Sequence, residues 1–215
     1  MNKKASKPPL KLYTKTGDKG ESNVLAGIRL PKDDAIFEAL GTMDELNASL
    51  GIVVSHAKKV GAKTSQEKAK PNPNDLVPEL LEIQDTLLNV GAIIAGSEKI
   101  DMSVASISKL EKRIDFYQQN TRDDWFHTFL LPGGTHVAAH TDLARTICRR
   151  LERRLTTLAN NPDTRLYIQP KPLKEVQAYI NRLSDYLFAL RCYINSQAGY
   201  EEKEYQPKYL ESLKV

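Results

Sequence analysis

Apolar residues recur at helical spacing in five stretches of this chain. Ile36, Leu40, Met43, Leu46, Leu50 and Val54 advance by threes and fours. Pro31 and Asp33 stand ahead of them as start signals, so a first helix is predicted from there to about 57. Leu76, Leu80, Ile83, Leu87 and Ile94 mark a second over about 75–95, closed by Gly96. Ile107, Leu110, Ile114 and Tyr117 mark a third over about 104–119. The fourth, 135–158, follows the break Pro132-Gly133-Gly134 and takes Thr135 as its N-cap. Its stripe is Val137, Ala144, Ile147, Cys148, Leu151, Leu155 and Leu158. Leu173, Val176, Ile180, Leu183, Leu187, Leu190 and Ile194 give the fifth, from 173 to about 195. No stretch reads as a strand and none repeats. Long amphipathic helices with short connections predict an all-α protein, a five-helix antiparallel bundle in a single domain.

The segments between and beyond the helices are polar. Residues 1–11 read as a loose basic tail, 58–75 as a flexible lysine- and proline-rich insertion, and 197–215 as a charged, loosely held tail. The 215 residues suffice for one sizeable core, and 40% hydrophobic with 27% charged residues is ordinary for a soluble protein. A net charge of +4 is too mild to argue for nucleic acid, and aromatics are not interleaved with the basic runs. Cys148 and Cys192 fall inside helical patterns, as small buried residues in a reducing compartment. No apolar run approaches a membrane span. The N-terminus has neither the hydrophobic core of a secretory signal nor the arginines of a transit peptide. The expectation is a cytoplasmic protein with no nucleic-acid and no membrane partner.

Chemistry is concentrated in two places. Arg145, Arg149, Glu152 and Arg153 lie three and four apart, on one face of the fourth helix beside its apolar stripe. A charge run is as a rule a solvated, salt-bridged face. The alternative is a polyanion held in a crevice, since arginine keeps its charge and grips phosphate by paired donors. The loop Tyr13-Thr14-Lys15-Thr16-Gly17-Asp18-Lys19-Gly20-Glu21-Ser22-Asn23 is either a polar glycine-rich turn or a set of amides and lysines around an anion. It is no Walker loop, because no Gly-Lys pair occurs in the chain. Asp44 lies next to the stripe of the first helix, and its burial would require a partner, most simply an arginine. His136 and His140 are four apart but have no third ligand nearby in sequence. Three classes follow: a nucleotide-handling enzyme, a carboxylate-bridged metal bundle, and a structural or interaction bundle. The second needs Glu-x-x-His pairs, and none occurs.

Four segments in one order resemble the trimeric ATP:corrinoid adenosyltransferases. They are Tyr13-Thr14-Lys15-Thr16-Gly17-Asp18-Lys19-Gly20, then Gly41-Thr42-Met43-Asp44-Glu45-Leu46-Asn47-Ala48, then Phe129-Leu130-Leu131-Pro132-Gly133-Gly134-Thr135 with Ala144-Arg145-Thr146-Ile147-Cys148-Arg149-Arg150-Leu151-Glu152-Arg153, then Asn181-Arg182-Leu183-Ser184-Asp185-Tyr186-Leu187-Phe188. The resemblance spans about 12–196. It implies a ferritin-like up-and-down bundle that forms a homotrimer, with each active site between two subunits. It implies that Thr14, Lys15, Thr16, Gly17, Ser22, Asn23 and Lys32 wrap the ATP phosphates. Arg149, Glu152, Arg153 and Asn181 of a neighbouring subunit would complete that site, with Arg150 and Leu151 in the same run. Asp44 and Arg145 would pair across the interface, and Phe129 would lie under the corrin ring. Two departures from the family pattern stand out: Thr141-Asp142 where Leu-His is usual, and Leu151 where alanine is usual.

The activity implied is transfer of the 5′-deoxyadenosyl group of ATP to Co(I) of a corrinoid, giving adenosylcobalamin and triphosphate. ATP, cobalamin and Mg2+ are the small molecules implied, with no protein metal cage because the phosphates hold the magnesium. An electron donor, either reduced flavin or a flavoprotein reductase, and an adenosylcobalamin-dependent enzyme are the implied partners. The alternative is a catalytically weakened homologue serving as a binding or chaperone module. In a eukaryote the compartment implied would be the mitochondrial matrix.

Overall fold

The computed structural model describes residues 13, 15–64, 76–121, 129–166 and 168–205. A short antiparallel hairpin, β1 (Glu21–Asn23) and β2 (Arg29–Pro31), precedes five helices: α1 (Ala35–Thr64), α2 (Leu76–Ile94), α3 (Val104–Gln119), α4 (His136–Asn160) and α5 (Pro170–Gln197). A 3-10 turn, Pro162–Leu166, lies between the last two. Cross-helix pairs give the directions. Glu45 meets Arg150 and Glu38 meets Arg154, so α1 and α4 run antiparallel. Glu152 with Asn181 and Asp142 with Arg191 do the same for α4 and α5. Glu79 with Arg113 and Glu82 with Lys109 do so for α2 and α3. The five helices alternate up and down, as the amphipathic pattern requires.

The ends are set by local chemistry. Asp34 Oδ1 accepts from Ile36 N–H at 2.9 Å and caps α1. Gly96, at φ +84°, ends α2. Its N–H donates to Ile93 O while Ser97 N–H donates to Ala92 O, the paired closure of a left-handed C-terminus. Thr135 Oγ1 accepts from Ala138 N–H and caps α4. The buried stripes then meet in one core: Ile36, Leu46 and Leu50 of α1, Leu80 and Leu87 of α2, Leu151 and Leu155 of α4, Ile180 and Leu187 of α5.

Four expectations are corrected. The chain forms strands, the pair β1–β2, each only three residues long and too short for periodicity to register. The helix predicted to end near 57 runs on to Thr64, so the first part of the supposed insertion is helical; 65–75 lie outside the described residues. The last helix begins at Pro170, not 173, because proline is compatible with a first helical turn. The segment 200–205 is not a loose tail. Leu131 N–H donates to Lys203 O at 2.8 Å, and Tyr205 N–H donates to Phe129 O at 2.6 Å.

Candidate functional site

The phosphate-type loop is built by the hairpin. Lys15 takes a left-handed backbone (φ +59°), as does Gly20 (φ +81°), so the chain folds back tightly between 15 and 20. Lys32 N–H donates to Gly20 O at 2.8 Å, which brings β2 alongside the loop. A Cβ placed on Gly17 would lie 3.0 Å from Lys32 Nζ, so the lysine ammonium rests in the space that the missing side chain of Gly17 leaves. Lys32 and Gly17, predicted to share the phosphates, are thus brought together. Ser22 is half-buried on β1, and Asn23 is exposed. Thr14 lies outside the described residues.

Arg29 was missed by sequence reasoning and holds this loop in shape. Its guanidinium donates to Thr16 O at 2.6 Å, to Glu21 Oε2 at 2.8 Å and to Asn23 Oδ1 at 3.3 Å. An isolated arginine between two turn segments gives no periodic signal, and only the β1–β2 pairing puts it beside Thr16.

The arginine row stands on α4, whose neighbours are α1 and α5. Arg149 and Arg153 are exposed, and Arg153 Nη1 donates to Arg149 O at 3.0 Å. Glu152 Oε1 accepts from Asn181 Nδ2 at 2.8 Å, joining two predicted site residues across α4 and α5. Two assigned residues do not join them. Arg150 is turned to α1 and paired with Glu45. Leu151 is fully buried in the core, one step round the helix, and offers a ligand no surface.

Asp44 is exposed in the subunit, so it needs no internal counter-ion; the partner of Arg145 is Asp142, 2.7 Å away on the same helix. Asp44 lines an open groove with Asn47, Ala48, Leu81, Gln84 and Leu88. Phe129 is 83% exposed. Its segment is held from behind through its backbone, by Tyr205, Lys203 and the Arg191 guanidinium, whose Nη2 donates to Leu131 O at 2.8 Å.

Arg191 belongs to a buried charge cluster that sequence reasoning also missed. It is 1% exposed and flanked by Glu202 at 2.8 Å and Asp142 at 3.7 Å. Both are charge contacts out of hydrogen-bonding line: Arg191 Nε and Glu202 Oε2 have no aligned partner. The available signal was a lone arginine within the apolar pattern of α5, between Leu187, Leu190 and Ile194, which requires buried acids.

Among the described residues no group of three or more His, Cys, Asp or Glu is placed to hold a metal ion. The structure brings His56 to His136 and His140, with ring centroids 5.9 and 4.8 Å apart. The rings stack within 13° of parallel, so their in-plane nitrogens do not converge. Burial pushes the Cys192 thiol up to about 11 and the Cys148 thiol higher, so neither is a ready nucleophile. No helix among the described residues is long and apolar enough to cross a membrane.

Comparison with known proteins gives the family. A family profile described as cobalamin adenosyltransferase matches residues 12–194. The corrinoid adenosyltransferase of Bacillus subtilis (strain 168) is 36% identical over 200 residues, which is 92% of this chain and 93% of that protein. Corrinoid adenosyltransferase MMAB of Homo sapiens is 34% identical over 204 residues, 91% of this chain and 73% of that protein. A PduO-type ATP:corrinoid adenosyltransferase from Lactobacillus reuteri has been solved as a phenylalanine-to-alanine variant complexed with cobalamin and ATP. It matches with a TM-score of 0.74 at 32% identity, covering 92% of this chain and 100% of that one. With the profile spanning most of its length, this chain belongs to the cobalamin adenosyltransferase family.

Proposed function

We propose that this chain is an ATP:corrinoid adenosyltransferase, which joins the 5′-deoxyadenosyl group of ATP to the cobalt of a corrinoid and releases triphosphate. The observation that carries the reading is an aromatic ring, Phe129, left 83% exposed by a backbone held firmly in place, just ahead of a helix bearing exposed Arg149 and Arg153. An exposed apolar plate suits a flat macrocycle, and a row of cations suits a polyphosphate.

In the step itself, the electron pair of Co(I) attacks C5′ of ATP. A cobalt–carbon bond forms, the C5′–oxygen bond breaks, and its electron pair leaves on triphosphate. The corrinoid is the nucleophile, so the protein positions the reactants and stabilises charge. Negative charge grows on the leaving triphosphate, where Lys15, Lys32, Arg149 and Arg153 supply preorganised positive charge. Phe129 excludes the lower axial ligand, so Co(II) becomes four-coordinate and accepts one electron more readily. The donor of that electron is reduced flavin or a flavoprotein. The protein offers no cage for magnesium, which travels with the phosphate oxygens of ATP.

The reading extends to a homotrimer with sites between subunits. The phosphate loop stands on the hairpin, which is bonded to the end of α2 through Ala26 N–H and Ala95 O, whereas the arginine row stands on α4. Exposed Ile52, Leu81, Leu88 and Leu143 give the helices an apolar face for a second copy. There Asp44 of one subunit reaches Arg145 of the next. The product passes to an adenosylcobalamin-dependent enzyme, in the cytoplasm or in the matrix of a eukaryotic mitochondrion. The test is anaerobic incubation with Co(I) cobalamin and Mg-ATP. The spectrum of an alkylated corrinoid supports the reading, and an unchanged Co(I) spectrum overturns it.

A further inference from the structure

We propose that Arg191 is a positioning residue for the corrinoid side of the site: held by Asp142 and Glu202, its guanidinium sets where segment 129–131, and with it the Phe129 ring, stands. The inference rests on the reading of Phe129 given above and adds residues that reading does not contain.

The geometry converges on one short piece of backbone. Arg191 is fully enclosed, and its aligned hydrogen bond to oxygen is the one to Leu131 O at 2.8 Å. Next to it, Asn195 Nδ2 donates to Gly133 O at 3.1 Å and to Glu202 Oε1 at 2.9 Å, while Asn195 Oδ1 accepts from Thr135 N–H at 3.0 Å. Gly134 sits at φ +107°, and a Cβ there would run into Asn195, so the chain passes close over α5. On the outer side, Lys203 and Tyr205 pair with Leu131 and Phe129. The segment is therefore clasped between α5 and 202–205, and Glu202 joins the two halves of the clasp. The Phe129 ring projects free.

Enclosing a guanidinium costs free energy that its counter-charges must offset. A small core packed with leucine would hold α5 equally well, so an arginine here implies a need for direction. Its Nη2 lies 2.8 Å from both Leu131 O and Glu202 Oε2, and the rigid guanidinium plane fixes that nitrogen in a way that a lysine ammonium on a flexible stem does not. Asp142 extends the cluster to Arg145, 2.7 Å away, so the segment bearing Phe129 and the first residue of the arginine row share one carboxylate.

The test uses Co(II) cobalamin with Mg-ATP and the full-length protein, read by electron paramagnetic resonance, beside steady-state kinetics. Arg191→Lys and Glu202→Gln are expected to fold and to keep KM for ATP. Each is expected to lower the share of four-coordinate Co(II), and turnover from Co(II) by about tenfold to a hundredfold, the scale of a misplacement near 1 Å. Turnover from Co(I) supplied already reduced should fall less. Should the Arg191 variant not fold, Glu202→Gln and Glu202→Ala, which act from outside the bundle, decide the matter alone. A wild-type share of four-coordinate Co(II) in the folded variants overturns the proposal. So does a parallel loss of KM for ATP, melting temperature and both turnovers, which would mark Arg191 as merely structural. Phe129→Ala is the reference. If it keeps the wild-type share, the reading of Phe129 fails and this proposal with it; if it alone loses that share, only the positioning role fails.

Discussion

Replacing Phe129 with alanine separates a functional aromatic from a packing one. A core phenylalanine truncated to alanine costs about 3–5 kcal/mol. Phe129 is 83% exposed, so only about a sixth of its surface is covered. Full burial of such a side chain contributes about 1.5–3 kcal/mol, so the covered share comes to ~0.3–0.5 kcal/mol. For a chain of this size 1 kcal/mol moves Tm by about 2–4 °C, so the expected shift is ~1–2 °C. A core role would give about 10 °C. The activity should change in the opposite proportion. Turnover from Co(II) with a reductant should fall steeply, while turnover from Co(I) and the KM for ATP should stay near wild type. Differential scanning calorimetry and the two anaerobic turnover assays give these quantities on one preparation. A drop in Tm near 10 °C, or equal losses from Co(II) and Co(I), would refute the reasoning.

Other substitutions test the remaining parts. Arg149→Ala should cost about 2–4 kcal/mol of transition-state stabilisation through loss of a preorganised cation, seen as a fall in kcat/KM for ATP at saturating corrinoid; an unchanged value removes Arg149 from the site. Asp44→Ala should weaken the trimer by about 1.5–3 kcal/mol per contact, the scale of a hydrogen bond to a charged group, because Arg145 still keeps Asp142. Sedimentation across a dilution series measures this, and a trimer of wild-type strength with wild-type activity contradicts the pairing. Stability should fall at alkaline pH. The Cys192 thiol is pushed from 9.0 to about 11 in the folded chain, so its contribution is complete below 9, is lost as pH rises to about 11, and amounts to ~3 kcal/mol. Urea melts at pH 8.5 and 10.5 should show a smaller decline in Cys192→Ala than in wild type; equal declines would remove Cys192 as a source.

Much of the bundle was legible because period and punctuation agreed. The bounds of α3 were read directly, Gly96 closed α2, and Thr135 capped α4. Helix α1 ran past its apolar stripe because Lys58, Lys59, Ala62 and Lys63 are good helix formers that carry the helix through Gly61 with no stripe to follow. The pairing of 129–131 with 203–205 joins residues far apart in sequence, so no local pattern announced it. In the site, the helical steps put Arg145, Arg149 and Arg153 in one row, and the same argument should have set Arg150 and Leu151 apart. They lie on other faces of α4, one paired with Glu45 and the other in the core. Arg29 and Arg191 were invisible for a different reason. Each acts through carbonyls and carboxylates that only the folded chain brings to it.

The central claim is that ATP is cleaved at C5′ with the three phosphates leaving as one unit, and a product count tests it most directly. The chain is incubated anaerobically with Co(I) cobalamin and Mg-ATP, the alkylated corrinoid is counted by its absorbance, and the phosphate products are counted by phosphorus NMR. The account predicts one inorganic triphosphate for each cobalt–carbon bond, with Arg149→Ala lowering both together. Formation of ADP with phosphate or of AMP with diphosphate, or release of phosphates without an adenosylated corrinoid, would contradict it.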